Sequence, residues 1–292
     1  MEQSLNGCFI TSLGAILLAN DLDNFPALRH KKFRVISHES GIRKEENFAE
    51  FTLNKGYAAG ATELLAYIQA QLPAGEQVAN FGPCSRWVMV PARSLREIVI
   101  NAMIHQDFSI HSAPRVEIMH DRVEVYSHGR PGMRPWRFID CCEHKRNPAL
   151  VDLMAKLTFC TGRGFGIDKV IQEAEKVHAV APNFEELPDN TLKVTLYGPK
   201  SLQQQSKGER LRACYQHCCL NYVNGVPTTN ATLRKRLGAD DSKISIVSHI
   251  ITDALAEKYI KVQGDSAGKR KRCYVPIWAP DSVQVTRGAV PQ

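Results

Sequence analysis

The sequence predicts an α+β protein in which an α/β sandwich is followed by a C-terminal winged helix-turn-helix domain. Between residues 83 and 199, helical and strand patterns follow each other in an order that fits a mostly antiparallel sheet with helices on one face. A stretch rich in Gln and Ser comes next and is typical of a linker. Three helical patterns and a basic hairpin follow it, which is the order of elements in a winged helix.

These patterns divide the 292 residues into five parts. We expect an N-terminal α/β segment at 1–82, the sandwich at 83–199, a linker at 200–208, the winged-helix domain at 209–279 and a flexible tail at 280–292. The N-terminal segment contains an apolar run at 8–19, a strand pattern at 33–36 and a helical pattern at 61–72. We recognise no catalytic or ligand-binding motif in this segment.

The composition is that of a globular protein that works in water. Apolar residues make up 43% and charged residues 23%, which excludes a disordered chain. The apolar run at 8–19 is too short to cross a bilayer, so we expect no membrane partner. The nine cysteines are odd in number and follow no secretory signal, so we expect reduced thiols and a cytoplasmic location. A zinc site at Cys214, His217 and Cys218 would lack a second pair of ligands.

The most informative stretch of the sandwich is residues 95–108, which we predict to be a mostly buried helix. Glu97, Asn101 and His105 recur at every fourth position and therefore project from one side of that helix. Apolar residues occupy the rest of its surface. Burying a carboxylate and an amide costs several kcal/mol unless each finds a partner.

Two interpretations of this polar stripe remain open. In the first, Arg93 pairs with Glu97 four residues later, and Asn101 and His105 are satisfied polar residues of the core. In the second, the stripe is a site: Glu97 orients and deprotonates water, and Asn101 supplies an oxygen ligand to a metal ion.

A glycine-rich stretch, Thr161-Gly-Arg-Gly-Phe-Gly-Ile167, leads directly into a helical pattern at 168–177. Glycines at alternate positions let backbone amides approach a ligand closely. The start of a helix adds free N–H groups and the positive end of a dipole, which together favour an anion. The alternative is a surface loop.

In this order, the two stretches resemble the GHKL family of ATP-binding domains, which includes gyrase, Hsp90, histidine kinases and MutL. In that family a helix called the N-box carries Glu, Asn and often His, a strand ending in Asp-x-Gly holds adenine, and a glycine-rich box holds phosphate. Here the strand pattern at 121–129 ends in Gly129, and Ser127 stands at the position of the adenine-reading Asp.

The resemblance implies ATP and Mg²⁺ as cofactors, with Glu97 as the catalytic base and Asn101 as the Mg²⁺ ligand. Whether the chain hydrolyses ATP, as a weak Mg-dependent ATPase, is left open. The irregular stretch 129–147 matches the mobile lid of the family, and its crowded Arg and Lys residues are either a solvated loop or cations for phosphate. The implied nucleotide-binding residues are Asn101, His105, Ser127, Gly129, Arg146, Asn147, Gly162, Gly164 and Gly166.

The chain also has a more specific resemblance, to bacterial proteins described as RecG-related ATP-dependent DNA helicases or Schlafen/AlbA-type transcriptional regulators. The residues that carry it are 55–60, 95–107, 121–125, 146–148, 161–167, 213–220 and 272–279. An AlbA-type module often precedes this region in such proteins, and we expect it to be lacking here. The sequence contains no G-x-x-x-x-G-K-[ST] phosphate loop, so we expect no helicase motor.

Positive charge is concentrated in the C-terminal part. Residues 200–292 contain 15 Lys and Arg against 7 Asp and Glu, a net of +8, whereas the whole chain carries +7. Such a basic domain indicates a partner that is an anionic polymer, and we expect double-stranded DNA. The helical patterns run from 209 to 223, from 229 to 238 and from about 241 to 259, and the hairpin has strand patterns at 259–262 and 269–275.

The third helix of this domain is expected to enter the major groove, and the basic hairpin, or wing, to hold phosphate. The predicted DNA-binding residues are Lys243, Ser245, Ser248 and His249 on the helix and Lys269, Arg270, Lys271 and Arg272 in the wing. The alternative is a winged helix used for contacts with proteins.

The predicted function is that of a DNA-binding regulator of transcription whose nucleotide state changes the disposition of the winged helix. The alternative is a DNA-binding or protein-interaction regulator whose GHKL domain has lost nucleotide binding. Dimers are common among such proteins, which suggests a homodimer by analogy.

Overall fold

The computed structural model describes residues 3–5, 8–38, 48–78, 84–139, 145–162, 164–263 and 272–280. The predicted α+β class is confirmed. The chain forms two compact units, the first made of residues 1–173 and 182–199 and the second of residues 174–181 and 200–292. Among the described residues, no helix combines the length and the apolar character needed to span a membrane.

The first unit contains most of the strands. In chain order, its elements are β1 (Gln3–Leu5), β2 (Cys8–Ile10), α1 (Ser12–Leu18), β3 (Phe33–His38), β4 (Phe48–Leu53), α2 (Tyr57–Gln71), β5 (Ala74–Val78), β6 (Cys84–Val88), α3 (Ala92–Ile104), β7 (Arg115–Ile118), β8 (Arg122–His128), α4 (Pro148–Lys156), α5 (Gly166–Lys176), β9 (Asn183–Glu186) and β10 (Thr191–Tyr197). Short 3₁₀ turns connect some of them. Helix α5 begins in the first unit, and its last residues, 174–176, belong to the second.

A six-stranded sheet with the order β4-β3-β7-β8-β10-β9 forms the centre of the first unit. Strands β3 and β7 are parallel, and the other neighbouring strands are antiparallel, as the mostly antiparallel sheet predicted from the sequence requires. Strands β3 and β4 come from the segment 1–82, so this segment and the segment 83–199 contribute strands to the same sheet.

Helix α3 is part of the core of this unit and contacts α2 and β8. Leu95, Val99 and Met103 are fully buried on it. Apolar side chains of α1, α2, α4 and the sheet complete the same cluster. Burying a side chain of this kind contributes about 1.5–3 kcal/mol, so α3 is fixed firmly enough to orient its few polar residues.

Besides the end of α5, the described part of the second unit contains three α-helices and a two-stranded antiparallel sheet. They are α6 (Lys207–Val223), α7 (Asn230–Arg236), α8 (Ile244–Ala256), β11 (Ile260–Val262) and β12 (Tyr274–Pro276). Capping boxes at Ser206 with Glu209 and at Thr229 with Thr232 begin α6 and α7. Helix α8 begins at Ile244, later than predicted, because a 3₁₀ turn occupies Asp241–Lys243. Residues 281–292 of the predicted tail lie outside the described residues.

Candidate functional site

The first unit contains a cavity of about 190 Å³. It is bounded by α3, by strands β8, β9 and β10, and by the segment that connects β8 to α5. Ten residues of α3 and the sheet line it: Glu97, Ile98, Asn101, Ala102, Ile104, Val125, Ser127, Phe184, Leu192 and Val194. The cavity therefore brings together several of the residues that the sequence predicted for a nucleotide site.

The floor of the cavity is one face of the sheet. In the register of β8 and β10, Leu192 lies opposite Ser127 and Val194 opposite Val125, and β9 places Phe184 opposite Val194. Because alternate residues of a strand share a face, these five side chains form one surface. It is apolar except for the buried hydroxyl of Ser127, which donates a hydrogen bond of 3.3 Å to the carbonyl of Ala102.

Helix α3 supplies the polar wall. Glu97 and Asn101, one turn apart, both line the cavity, as does His105. The predicted helix at 95–108 needs correction, since the observed helix is Ala92–Ile104 and His105 is its C-cap residue. The early end has a physical cause: the side chain of Asn147 donates to the carbonyls of Ile104 and Gln106 at 2.9 and 2.8 Å, and these bonds replace further helical ones.

The carboxylate of Glu97 is half-buried, and no other described residue makes a hydrogen bond or ion pair with it. Burial raises the pKa of Glu97 above its ordinary value, although Lys169, Arg96 and Arg93 partly oppose this. The local pair of Glu97 with Arg93, one of the two interpretations left open by the sequence, does not form among the described residues, and the guanidinium of Arg93 lies 3.9 Å from the carboxylate of Glu173 instead. A carboxylate with a raised pKa that faces a cavity is suited to accept a proton from water.

The glycine-rich segment also lines the cavity and meets α3 at Glu97. Gly162 and Gly164 line it with φ angles of +64° and +77°, in the left-handed region that favours glycine. Gly166, the first residue of α5, packs against Glu97, and a Cβ atom there would lie 2.7 Å from Cδ of Glu97. Glycine is thus needed at 166 for α3 and the start of α5 to approach each other.

Of the predicted nucleotide-binding pair Arg146 and Asn147, the structure brings Arg146 to the cavity but not Asn147. Arg146 lines the cavity, forms an ion pair of 3.1 Å with Asp107 and donates to the carbonyl of Arg130. Gly129 also lines the cavity, and a Cβ atom on it would collide with Arg146. Asn147 is not among the lining residues, because its amide is used by the carbonyls at the end of α3. It therefore shapes the site without reaching into it.

Several lining residues were missed by sequence reasoning. Met133 and Phe138 come from the irregular stretch after β8, where no periodic pattern identifies an inward side chain. Val151 and Cys160 come from α4 and the residues after it. Lys145, by contrast, is one of the crowded cations of the stretch 129–147 that the sequence indicated for phosphate, and it lines the cavity with Arg146. The alternation of residues 191–196 would have identified Leu192 and Val194 had it been used to assign a face.

No group of three or more His, Cys, Asp or Glu side chains in the described part of the chain is arranged to hold a metal ion. The thiols of Cys214 and Cys218 are fully buried, and burial raises the pKa of Cys214 to about 12. His217 contacts Glu175 through Nδ1 at 3.1 Å and accepts from Asn221 at Nε2. Both nitrogens are in use, so a zinc site does not form there.

The predicted DNA-binding residues of α8 are on its exposed side. Ser245, Ser248 and His249 are exposed. The hydroxyl of Ser248 accepts a hydrogen bond from Asn230 at 3.0 Å, and Nζ of Lys243 lies 3.9 Å from Asp240. Arg272 is exposed, whereas Lys269, Arg270 and Lys271 lie outside the described residues.

Comparison with known proteins bears on both units. Residues 111–196 match a protein family described as "Putative ATP-dependent DNA helicase recG C-terminal". The matched segment contains the sheet floor and the glycine-rich segment but not α3. No curated protein matches the sequence.

Among solved structures, the chain is similar to the DIP2311 protein from Corynebacterium diphtheriae, with a TM-score of 0.59 and 17% sequence identity over 93% of this chain and 55% of that one. The chain thus spans about half the length of that protein, and the likeness shows the fold alone. The family match supports a relationship between the middle of this chain and RecG-related, ATPase-like proteins.

Proposed function

We propose that the first unit binds ATP with Mg²⁺ in its cavity and that the chain is a DNA-binding regulatory protein which responds to this nucleotide. The observation that carries the proposal is that Glu97 and Asn101 of α3 line the same cavity as Gly162, Gly164 and Gly166. The face of the sheet that lines the same cavity is mostly apolar and suits a heterocycle.

The phosphates would lie at the glycine-rich segment. There Gly162, Gly164 and Gly166 carry no side chain and α5 begins. Lys145 and Arg146 also line the cavity. A helix start and two cations favour an anion, and the left-handed glycines let backbone N–H groups approach it.

The residues present fit a magnesium ion that is bound mainly by phosphate. Mg²⁺ in nucleotide sites is held by one or two protein oxygens together with phosphates and water, so a cage of several side chains is not required. Asn101 would supply the protein oxygen, and the ion would neutralise phosphate charge. Glu97 would orient a water molecule and take its proton, which its raised pKa favours.

Calorimetric titration with Mg-ATP tests this assignment. Asn101→Ala should abolish Mg-dependent ATP binding, whereas Glu97→Gln should keep binding and remove hydrolysis, because only the glutamate acts on water. Glu63→Gln, on the exposed side of α2, is the matched control and should change neither property. Equal ATP affinity in the wild type and Asn101→Ala would refute the role of Asn101.

The response of the second unit would be transmitted by α5. Gly166 and Ile167 at its start line the cavity, and its last residues, 174–176, belong to the second unit. Within the second unit, Glu175 lies 3.3 Å from Nε of the buried Arg236 on α7 and contacts His217 on α6. A displacement of the first turn of α5 would therefore move the last turn of the same helix, where Glu175 is held by two buried partners.

The second unit would bind duplex DNA as a winged helix. Three helices precede the β11–β12 pair, and an isolated bridge joins Thr228, between α6 and α7, to Tyr274. The exposed residues of α8 and the net charge of +8 between residues 200 and 292 support DNA as the partner.

Replacing Lys269, Arg270, Lys271 and Arg272 with neutral residues tests the DNA proposal. The slope of log affinity against log salt should become shallower by about 0.9 for each DNA phosphate that the variant no longer neutralises. Changing Ser248 and His249 should instead weaken binding to a preferred sequence with little change in slope. Unchanged affinity and salt dependence in the wing variant would favour a surface for protein contacts.

A further inference from the structure

The sheet floor is the part of the cavity on which the base of the proposed nucleotide would rest. It consists of Val125, Leu192, Val194 and Phe184, together with Ser127, which is the polar residue among these five lining residues. Ser127 is only 7% exposed, so water competes poorly for its hydroxyl. A planar heterocycle that rests on this floor would meet one hydrogen-bonding side chain there.

The hydroxyl of Ser127 is not committed to one role. It donates to the carbonyl of Ala102 at 3.3 Å, which is longer than an ordinary O–H···O bond of about 2.7–2.8 Å. A serine hydroxyl has one donor and two acceptor positions, and its hydrogen rotates to suit its surroundings. An ionised carboxylate at this position would only accept.

Whether the side chain at position 127 can donate as well as accept a hydrogen bond decides which purine the site can hold. Adenine carries an amino group, a donor, at the ring position where guanine carries a carbonyl oxygen, an acceptor. The hydroxyl can accept from the amino group while it donates to Ala102, or turn and donate to the guanine oxygen. A carboxylate would bond the first and repel the second.

We infer that Ser127 makes this a site for purine nucleoside triphosphates in general, which takes GTP as well as ATP. The inference rests on the proposed nucleotide site and concerns its base specificity alone. The pyrimidine triphosphates, whose single ring covers less of the apolar floor, should bind more weakly than either purine.

The test is calorimetric titration of the full chain with the Mg²⁺ complexes of ATP, GTP and CTP. For the wild type, the affinities for ATP and GTP should agree within about tenfold, since Ser127 can form a hydrogen bond with either base and the guanine complex gives up only the long bond to Ala102. Ser127→Asp should lower GTP affinity by about tenfold or more relative to ATP affinity. Ser127→Ala, which adds no buried charge, should lower both affinities while leaving their ratio near that of the wild type.

The outcomes separate two failures. A wild-type chain that binds ATP about a hundredfold more tightly than GTP refutes the inference and leaves the proposed function intact. A chain that binds no nucleotide refutes the proposed function, and with it the inference. The wild-type ratio needs no variant, so poor folding of Ser127→Asp would not obscure the result.

Discussion

Glu97 and Gly166 are in direct contact, since a Cβ atom on Gly166 would lie 2.7 Å from Cδ of Glu97. The carboxylate of α3 is thereby held beside the first turn of α5. Two elements that are separated by about 60 residues of sequence thus meet at one point, and the absence of a single methyl group allows it.

The first prediction follows from this contact. In Gly166→Ala the new methyl group must displace Glu97 or shift α5, so ATP hydrolysis should fall steeply and stability should fall by about 1–3 kcal/mol. Gly208→Ala is the matched control, because a Cβ atom at Gly208 in α6 has no atom within 4 Å. Urea unfolding and a phosphate-release assay measure the two effects. An unchanged hydrolysis rate in Gly166→Ala would show that the contact does not position Glu97.

The second prediction concerns Asp168 in the first turn of α5. Burial raises the pKa of this carboxyl to about 6 from an ordinary value of 3.8, and its Oδ1 is buried without a partner among the described residues. The folded state therefore holds the proton more tightly than the unfolded state. The resulting stabilisation is fully present below pH 3.8 and is lost as the pH rises through about 6.

Asp168→Asn should accordingly be more stable than the wild type at pH 7.5, and the difference should shrink as the pH is lowered towards 4. Urea unfolding of both proteins across this range measures it. Asp152→Asn, whose carboxylate is largely exposed on α4, is the control and should show little pH-dependent difference. A difference for Asp168→Asn that is independent of pH would contradict the assignment.

The third prediction concerns Lys31, which is fully buried and donates to the backbone carbonyls of Asp107 at 2.7 Å and Ile110 at 2.6 Å. These carbonyls belong to the loop after α3, and Asp107 in turn pairs with Arg146 at the cavity. Lys31→Met should destabilise the chain by about 2–5 kcal/mol, because the carbonyls of Asp107 and Ile110 would each lose a short hydrogen bond from a charged donor.

Lys32→Met is the matched control for Lys31→Met. The neighbouring lysine pairs with the exposed Asp23, and its replacement should cost less than about 1 kcal/mol. Chemical denaturation compares the two variants. Equal and small effects in both would mean that Lys31 does not organise the loop.

The fourth prediction concerns the buried ion pair of the second unit. Glu175→Gln would leave the guanidinium of Arg236, which is 2% exposed, without its negative partner at 3.3 Å. We expect a decrease of about 3–5 kcal/mol in the stability of the second unit. Faster amide hydrogen exchange in α6 and α7 would report it. Glu185→Gln, in an exposed pair with Lys193, should leave exchange unchanged, and equal exchange in both variants would refute the prediction.

Local patterns predicted much of the site. Because Glu97 and Asn101 are four residues apart, the sequence predicted that both lie on one side of a helix, and the structure brings both to the cavity. The alternate glycines before α5 and the position of Ser127 on a strand also lie where the sequence placed them. Each of these depends on residues that are close in sequence, where helix and strand periods determine direction.

Distant contacts account for what the sequence did not reveal. The end of α3 is determined by Asn147, which lies more than 40 residues away, and no local signal marks it. Arg146 is paired by Asp107, and the loop beyond α3 depends on Lys31 from the N-terminal segment. The parallel pairing of β3 with β7 likewise joins segments that strand patterns alone cannot match.

The central claim is that the cavity between α3 and the glycine-rich segment holds a nucleotide in one orientation. A crystal structure of the chain with Mg²⁺ and a non-hydrolysable ATP analogue tests it most directly. We expect the base on the floor formed by Val125, Ser127 and Leu192, the phosphates at Gly162 to Gly166, and Mg²⁺ next to Asn101. A nucleotide bound elsewhere, or an empty cavity at saturating analogue, would contradict the account.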